Sequence, residues 1–247
     1  MTTRALVLVA LVGCAAAGRP GPRTVAMISA NAEWTAVVKR SPGAAIEHTP
    51  YGDWLERAFG GERVVFFHGG YGKVAAAGST QYAIDRWHPA LVLNLGTCGG
   101  FGHGLAKGDV VLASRTTIYD IYEAMGDADE AIADYRTTLD TSRWPVRLAS
   151  RVKVEPLISG DRDLVPGELA KLRAKFDAGA GDWESGAIAY VAAHNHTRVV
   201  ILRAVSDVVD ESGDVVLGNL AAWQQAADQM MATLLELAAD ALPDLVR

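Results

Sequence analysis

The sequence predicts one α/β domain whose sheet is covered by helices, and three observations carry that prediction. Apolar, β-branched runs of strand length recur along the chain, segments of helical periodicity lie between them, and no linker or internal repeat divides residues 24–247. Continuous apolar runs, unlike alternating ones, are what strands buried on both faces require. Strands alternating with helices place the chain in the α/β class.

Taken in order, residues 1–22 read differently from the rest. A single positive charge at Arg4 precedes an apolar run (ALVLVALVG, 5–13), then Cys14 and a small, turn-rich stretch, AAAGRPGPR. A basic start followed by a short apolar run is the layout of a secretory signal. The segment Leu11-Val12-Gly13-Cys14 resembles a bacterial lipobox, which implies a lipid anchor at Cys14, a tether after it, and export to the periplasmic face or cell surface. A first strand or an overlong start in a cytoplasmic protein is the alternative. Strands are expected at 24–29 (TVAMIS), 63–68 (RVVFFH), 91–95 (LVLNL), 109–113 (DVVLA), 153–159 and 198–203 (RVVILR). Helices are expected over a segment through Val74, Ala77, Tyr82 and Ile84 to Trp87, over the alanine-rich 184–194, and from Leu220 to the C-terminus. In the last of these Ala227, Met231, Leu234, Leu235 and Ala238 repeat at helical spacing, and Trp223 reads as core. The acid-rich 120–140 reads as solvated surface, with a lid or subunit contact as the functional alternative.

Composition excludes several classes. The 247 residues are 50% hydrophobic and 21% charged, too apolar for a disordered chain. A formal net charge of −6, from 29 acidic and 23 basic residues, argues against a nucleic-acid partner, which needs a basic stripe. Two cysteines exclude a disulfide framework. No stretch reaches the roughly 18–20 apolar residues that span a bilayer.

Polar groups gather where strands should end, which is where open α/β sheets bind ligands. Residues 29–34 (SANAEW) follow the first strand. Residues 96–102 (GTCGGFG) follow the third and read as a glycine loop whose amides can approach a ligand. Asp182-Trp183-Glu184 opens a helix, and Arg203 to Asp207 lies beyond the last strand. Each has a plainer reading. Glu184 could be an acid favoured at a helix start, Asp207 could be the partner of Arg203, and Cys98 is more simply a packing residue than a nucleophile. His194 and His196 diverge on a helix, and no zinc ligand set is apparent.

Together these segments resemble the nucleoside phosphorylase/nucleosidase superfamily, and within it the 5′-methylthioadenosine/S-adenosylhomocysteine nucleosidases. The resemblance is carried by HGGYGKVAAA (68–77), LNLGTCGGFGHGLAKGDVVLAS (93–114), Tyr119-Asp120, ISGD (158–161), DWESGAIAYVA (182–192) and LRAVSDVVDE (202–211). It implies a single-domain three-layer α/β/α sandwich with a central mixed sheet, spanning residues 23–247. It further implies a homodimer, a purine nucleoside as the small-molecule partner, and N-glycosidic cleavage without metal or organic cofactor.

The site residues follow from the same resemblance. Asp207 matches the acid that protonates the leaving purine and so should be held protonated by burial. Glu184 matches the glutamate that accepts from the ribose hydroxyls and favours positive charge on the ring. Thr97 occupies the position of the family's site serine, and Arg203 that of the arginine near the nucleophile. Gly99 and Ser206 belong to the substrate-binding motifs. Trp183 replaces the methionine that packs on the sugar. Asn94 stands where phosphorylases of the hexameric type carry a phosphate-holding arginine, which favours water as nucleophile and Glu33 as its base.

Two departures qualify that reading. Glu33 lies one position before the simplest ungapped match, where Trp34 falls. Asp163 takes the place of a phenylalanine that stacks on adenine, with Leu164 beside it. A phosphate-dependent purine nucleoside phosphorylase and a nucleoside-binding protein that has lost turnover remain the alternatives.

Overall fold

The computed structural model describes residues 23–102, 104–209 and 220–247. The expected signal, tether and Cys14 lie outside the described residues. In chain order the elements are β1 (Thr24–Ser29), α1 (Asn31–Lys39), β2 (Glu47–Thr49), β3 (Gly52–Phe59), β4 (Glu62–His68), α2 (Gly72–Trp87), β5 (Leu91–Gly100) and β6 (Val110–Ile118). There follow α3 (Ala128–Ala133), β7 (Arg136–Thr138), β8 (Lys153–Ser159), α4 (Leu169–Phe176), β9 (Ala180–Asp182), α5 (Ser185–His194), β10 (Val199–Val208) and α6 (Leu220–Leu245).

The expected strands are buried on both faces, as their composition requires. On β1, Val25 and Met27 face a core shared with α1 and α6, while Ala26 and Ile28 face one shared with α2 and α5. On β5, Leu91, Leu93 and Leu95 point to the first core and Val92 to the second. All eight are at most 1% exposed, and each large aliphatic so buried contributes roughly 1.5–3 kcal/mol. The helices thus form two outer layers around one mixed sheet, the expected three-layer sandwich.

Pairing sets where the site can form. β3–β4 and β2–β3 are antiparallel, whereas β4–β1, β1–β5 and β5–β10 are parallel. Beyond β5 the sheet curls: β10 pairs β6, β6 pairs β8, β8 pairs β9, and β9 returns to β5. The result is a closed ring of strands with β1, β4, β3 and β2 as a flap to one side. β4, β1, β5 and β10 run parallel, so their carboxyl ends meet on one edge, and β8, which runs the opposite way, closes the ring beside it.

Three expectations are corrected. The glycine loop is not a loop, because β5 continues as strand through Gly100, pairing Gly96 with Arg203 and Gly99 with both Asp207 and Gly181. β6 runs well past residue 113, since Thr116 and Thr117 are buried strand residues despite their hydroxyls. The acid-rich 120–140 is not all surface: α3, capped by Asp127, and β7 lie within it, and Asp120 is tied inward by Lys73.

Candidate active site

At the carboxyl end of the sheet lies a cavity of about 660 Å³. Nine of the ten expected site residues line it: Glu33, Thr97, Gly99, Asp163, Leu164, Trp183, Glu184, Ser206 and Asp207. They arrive from α1, β5, the segment after β8, the residues just before α5, and β10. The tenth, Arg203, does not line the cavity. It is 1% exposed and lies beneath the floor of the cavity.

Arg203 organises that floor. Its Nε lies 2.7 Å from Asp182 Oδ2, out of line for a hydrogen bond, and one terminal nitrogen lies 3.6 Å from Glu184 Oε2. The guanidinium also donates to Asn94 Oδ1 at 2.9 Å and to the Thr97 carbonyl at 3.3 Å. The plainer reading in which Asp207 partners Arg203 is therefore replaced by the Asp182–Arg203–Glu184 arrangement. Gly96 makes room for it: a Cβ there would come within 2.1 Å of the guanidinium. Asn94 is used on both sides, its amide also donating to the Ile28 carbonyl at 2.9 Å.

Glu33 sits in the first turn of α1 and is 3% exposed. Its Oε1 accepts from the Thr97 amide at 3.0 Å and from the Thr97 hydroxyl at 2.8 Å. The β5 amide expected to meet a ligand is thus spent holding a carboxylate. Trp34, the residue of the ungapped match, turns away into the core and stacks on His68 at 5.9 Å and 8°. Of these two neighbours, Glu33 is the one that lines the cavity.

Glu184 immediately precedes α5 but acts on another helix. Its Oε1 accepts the Gly72 amide at 3.2 Å, at the opening residue of α2. Gly72 has φ +79°, and a Cβ there would meet Asp161 at 2.8 Å, so only glycine suits this junction. Burial raises the Glu184 pKa to about 7, with Asp182 and Glu33 adding to the rise and Arg203 opposing it. Asp161 also accepts the Lys73 amide at 2.8 Å, and Lys73 reaches Asp120, which gathers three of the quoted motifs behind the cavity wall.

At the other end, Ser206 donates a short hydrogen bond to Asp207, and Gly99 lies close beneath the Asp207 carboxylate. Leu164 covers Gly99 and Gly181, where Cβ atoms would approach it to 2.9 and 3.1 Å. This makes an apolar slot against the strand backbone. Cys98 also borders the cavity, but burial pushes its thiol far up, in keeping with a packing role.

Sequence reasoning missed several lining residues. Tyr71 stacks on Trp183 at 4.6 Å, and Asn31, Thr35, Arg162 and Gln224 share the wall. Trp223, expected in the core, lines the cavity instead. Its helical spacing with Ala227 and Met231 was the available signal. α6 runs 26 residues, about 39 Å, and brings Trp223 and Gln224 near its start to the cavity. Among the described residues no group of three or more His, Cys, Asp or Glu is arranged to hold a metal ion.

An α/β sheet with carboxylates converging at its strand ends defines a class, and residues 24–240 match the family model of the Phosphorylase superfamily, to which the chain belongs. Within it, the chain is 30% identical over 196 residues to the 5′-methylthioadenosine/S-adenosylhomocysteine nucleosidase of Actinobacillus succinogenes, covering 74% of this chain and 85% of that one. The crystal structure of the Neisseria meningitidis nucleosidase in complex with methylthio-immucillin-A superposes with a TM-score of 0.71 at 26% identity, covering 88% of this chain and 97% of that one. A futalosine hydrolase mutant from Helicobacter pylori shares the fold at a TM-score of 0.69 and 16% identity, covering 87% of this chain and 99% of that one.

Proposed function

We propose that this protein hydrolyses the N-glycosidic bond of a purine nucleoside to free base and ribose sugar. The observation that carries the reading is the convergence of Glu33, Glu184 and Asp207 on one cavity from three separate elements. Such cleavage passes through an oxocarbenium-like state and needs an acid at the leaving base, an activated nucleophile, and negative charge beside the sugar. Asp207 gives its proton to the purine as the C1′–N bond breaks. A water held by Glu33 attacks C1′ and leaves its proton on the glutamate. Glu184 accepts from the ribose hydroxyls and faces the positive charge of the ring, and Arg203 and Thr97 are positioning residues for the two glutamates. The names of the relatives, which specify methylthioadenosine and adenosylhomocysteine, support the purine-nucleoside class.

Water is favoured over phosphate by the charge at the floor. Arg203 is already engaged by Asp182 and Glu184, and the neutral Asn94 is held on both sides, by the Ile28 carbonyl and by Arg203. Incubation with purine nucleosides in the presence and absence of phosphate tests the reading. Free ribose sugar without phosphate is the expected product, whereas ribose 1-phosphate or tight binding without turnover overturns it. Asp207→Asn should lower kcat by about 100-fold or more, and full activity in that variant refutes the assignment.

Two further readings belong with this one. A homodimer is supported by the family resemblance, and equilibrium sedimentation tests it. Export as a lipoprotein anchored at Cys14 is supported by the pattern of residues 1–14. Palmitate labelling that is lost in Cys14→Ala tests it, and absence of labelling in the native host returns the enzyme to the cytoplasm.

A further inference from the structure

The order of strands orients a nucleoside in the cavity. β10, β5, β1 and β4 are neighbours in that sequence across the carboxyl edge. At about 4.8 Å per strand this edge runs roughly 14 Å. Asp207 stands on β10, Thr97 and Gly99 on β5, Asn31 just beyond β1, and Tyr71 just beyond β4. If the purine lies at Asp207 and the ribose at Glu184, as the nucleosidase reading on which this inference rests requires, the 5′ carbon is directed toward Asn31 and Tyr71.

Asn31 and Tyr71 give that end of the cavity hydrogen-bonding groups. Thr35, Gln224 and Trp223 line the same cavity, and Tyr71 lies against the indole of Trp183. His68 Nε2 lies 2.8 Å from Asn31 Oδ1, which fixes the amide and leaves its NH2 group to donate. The Tyr71 ring is held against Trp183 at an interplanar angle of 29°. The negative charges of Glu184, Asp163, Asp161 and Glu33 all bear on the Tyr71 phenol. A 5′-phosphate brought here would meet that same charge.

We propose that this subsite receives a free 5′-hydroxyl, so that the preferred substrates are unmodified purine ribonucleosides and not 5′-alkylthio nucleosides or 5′-nucleotides. A thioether sulfur is a weak acceptor and donates nothing. A site built to hydrogen-bond a hydroxyl discriminates against analogues without one, because its own polar groups are left unpaired.

The test is kcat/KM of the full chain, without phosphate, for adenosine, 5′-deoxyadenosine, 5′-methylthioadenosine and adenosine 5′-monophosphate. Adenosine should exceed each of the others by about tenfold or more, the worth of one hydrogen bond. Tyr71→Phe keeps the ring on Trp183 and should reduce the ratio of adenosine to 5′-deoxyadenosine about tenfold. The proposal is overturned if 5′-methylthioadenosine or the monophosphate matches adenosine, or if Tyr71→Phe leaves the ratio unchanged, with the nucleosidase reading still standing. Turnover of none of the four, nor of inosine or guanosine, removes both.

Discussion

Glu33→Gln separates the chemistry of this carboxylate from its place in the structure. In the native protein Glu33 Oε1 takes both hydrogen bonds from Thr97, at 3.0 and 2.8 Å, which leaves Oε2 to hold a water and take its proton. Glutamine has the same shape, and its carbonyl oxygen can accept both Thr97 bonds. Those bonds become neutral instead of charge-assisted, a loss of about 1–2 kcal/mol for the pair. Replacing a buried carboxylate by an amide removes a desolvation cost of the opposite sign. Net stability should therefore change by about 1 kcal/mol or less. The amide has no proton affinity to offer, and loss of a general base lowers kcat by about 10²–10⁴, or roughly 3–5 kcal/mol of barrier.

The assay is release of free purine at saturating nucleoside in phosphate-free buffer, with urea denaturation of the same preparations. The expected outcome is a fall in kcat of at least about 100-fold with nearly unchanged stability. If the variant keeps a third of native kcat or more, Glu33 is not the base. If it unfolds, the carboxylate is structural and the Thr97 bonds are worth more than this reasoning allows.

Three other outcomes follow from the same geometry. Arg203→Met strands Asp182 and Glu184 without a cation and should cost about 3–5 kcal/mol, seen as a fall in Tm of roughly 10 °C; a shift below about 2 °C contradicts the ion-pair floor. Glu184, raised from 4.5 to about 7, adds stability that is complete below about pH 4.5 and lost as pH rises through about 7, some 3 kcal/mol in all. Urea midpoints should fall across that window and lose most of the slope in Glu184→Gln; equal slopes in the two proteins refute the assignment. The Cys98 thiol, pushed up by burial, should resist a thiol reagent at pH 8 in folded Cys14→Ser protein and react on unfolding, and rapid labelling of the native state would show it accessible.

How much was legible in the sequence depended on what each residue answers to. The strands at 24–29, 63–68 and 91–95 were readable because burial on both faces leaves an unbroken apolar signature. β3 was not, because Glu56 on it and Arg63 on β4 pair at the surface and interrupt the apolar run. β9 is three residues, Ala-Gly-Asp, and is a strand only because β5 and β8 flank it. At the site, the motifs identified residue types but not depth. The Arg203 motif was recognised as functional, yet nothing in it says that the guanidinium lies below the cavity and not in it. Tyr71 sat unnoticed within a glycine-rich segment, since its contact with Trp183 joins residues far apart in the chain.

The floor of the cavity also suggests why charge is arranged as it is. Asp182, Glu184 and Glu33 surround the Arg203 guanidinium, so three carboxylates share one buried cation. Three negative charges against one are unfavourable in a desolvated site, and Glu184, with the raised pKa, is the group that relieves the excess by taking up a proton. A ribose ring passing through an oxocarbenium-like state brings a second positive charge to the same place, which makes the ionised form of Glu184 favourable at the moment of bond cleavage. The interaction is then stronger in the transition state than with the neutral nucleoside, the condition for raising kcat as well as affinity. On this argument the acid limb of kcat/KM follows the free enzyme's Glu184 and rises with pH through about 7. The ionisation that weakens the fold is the one that makes the site active. A kcat/KM profile flat from pH 5 to 8, alongside a stability that does fall in that range, would separate the two and show that Glu184 serves the fold alone.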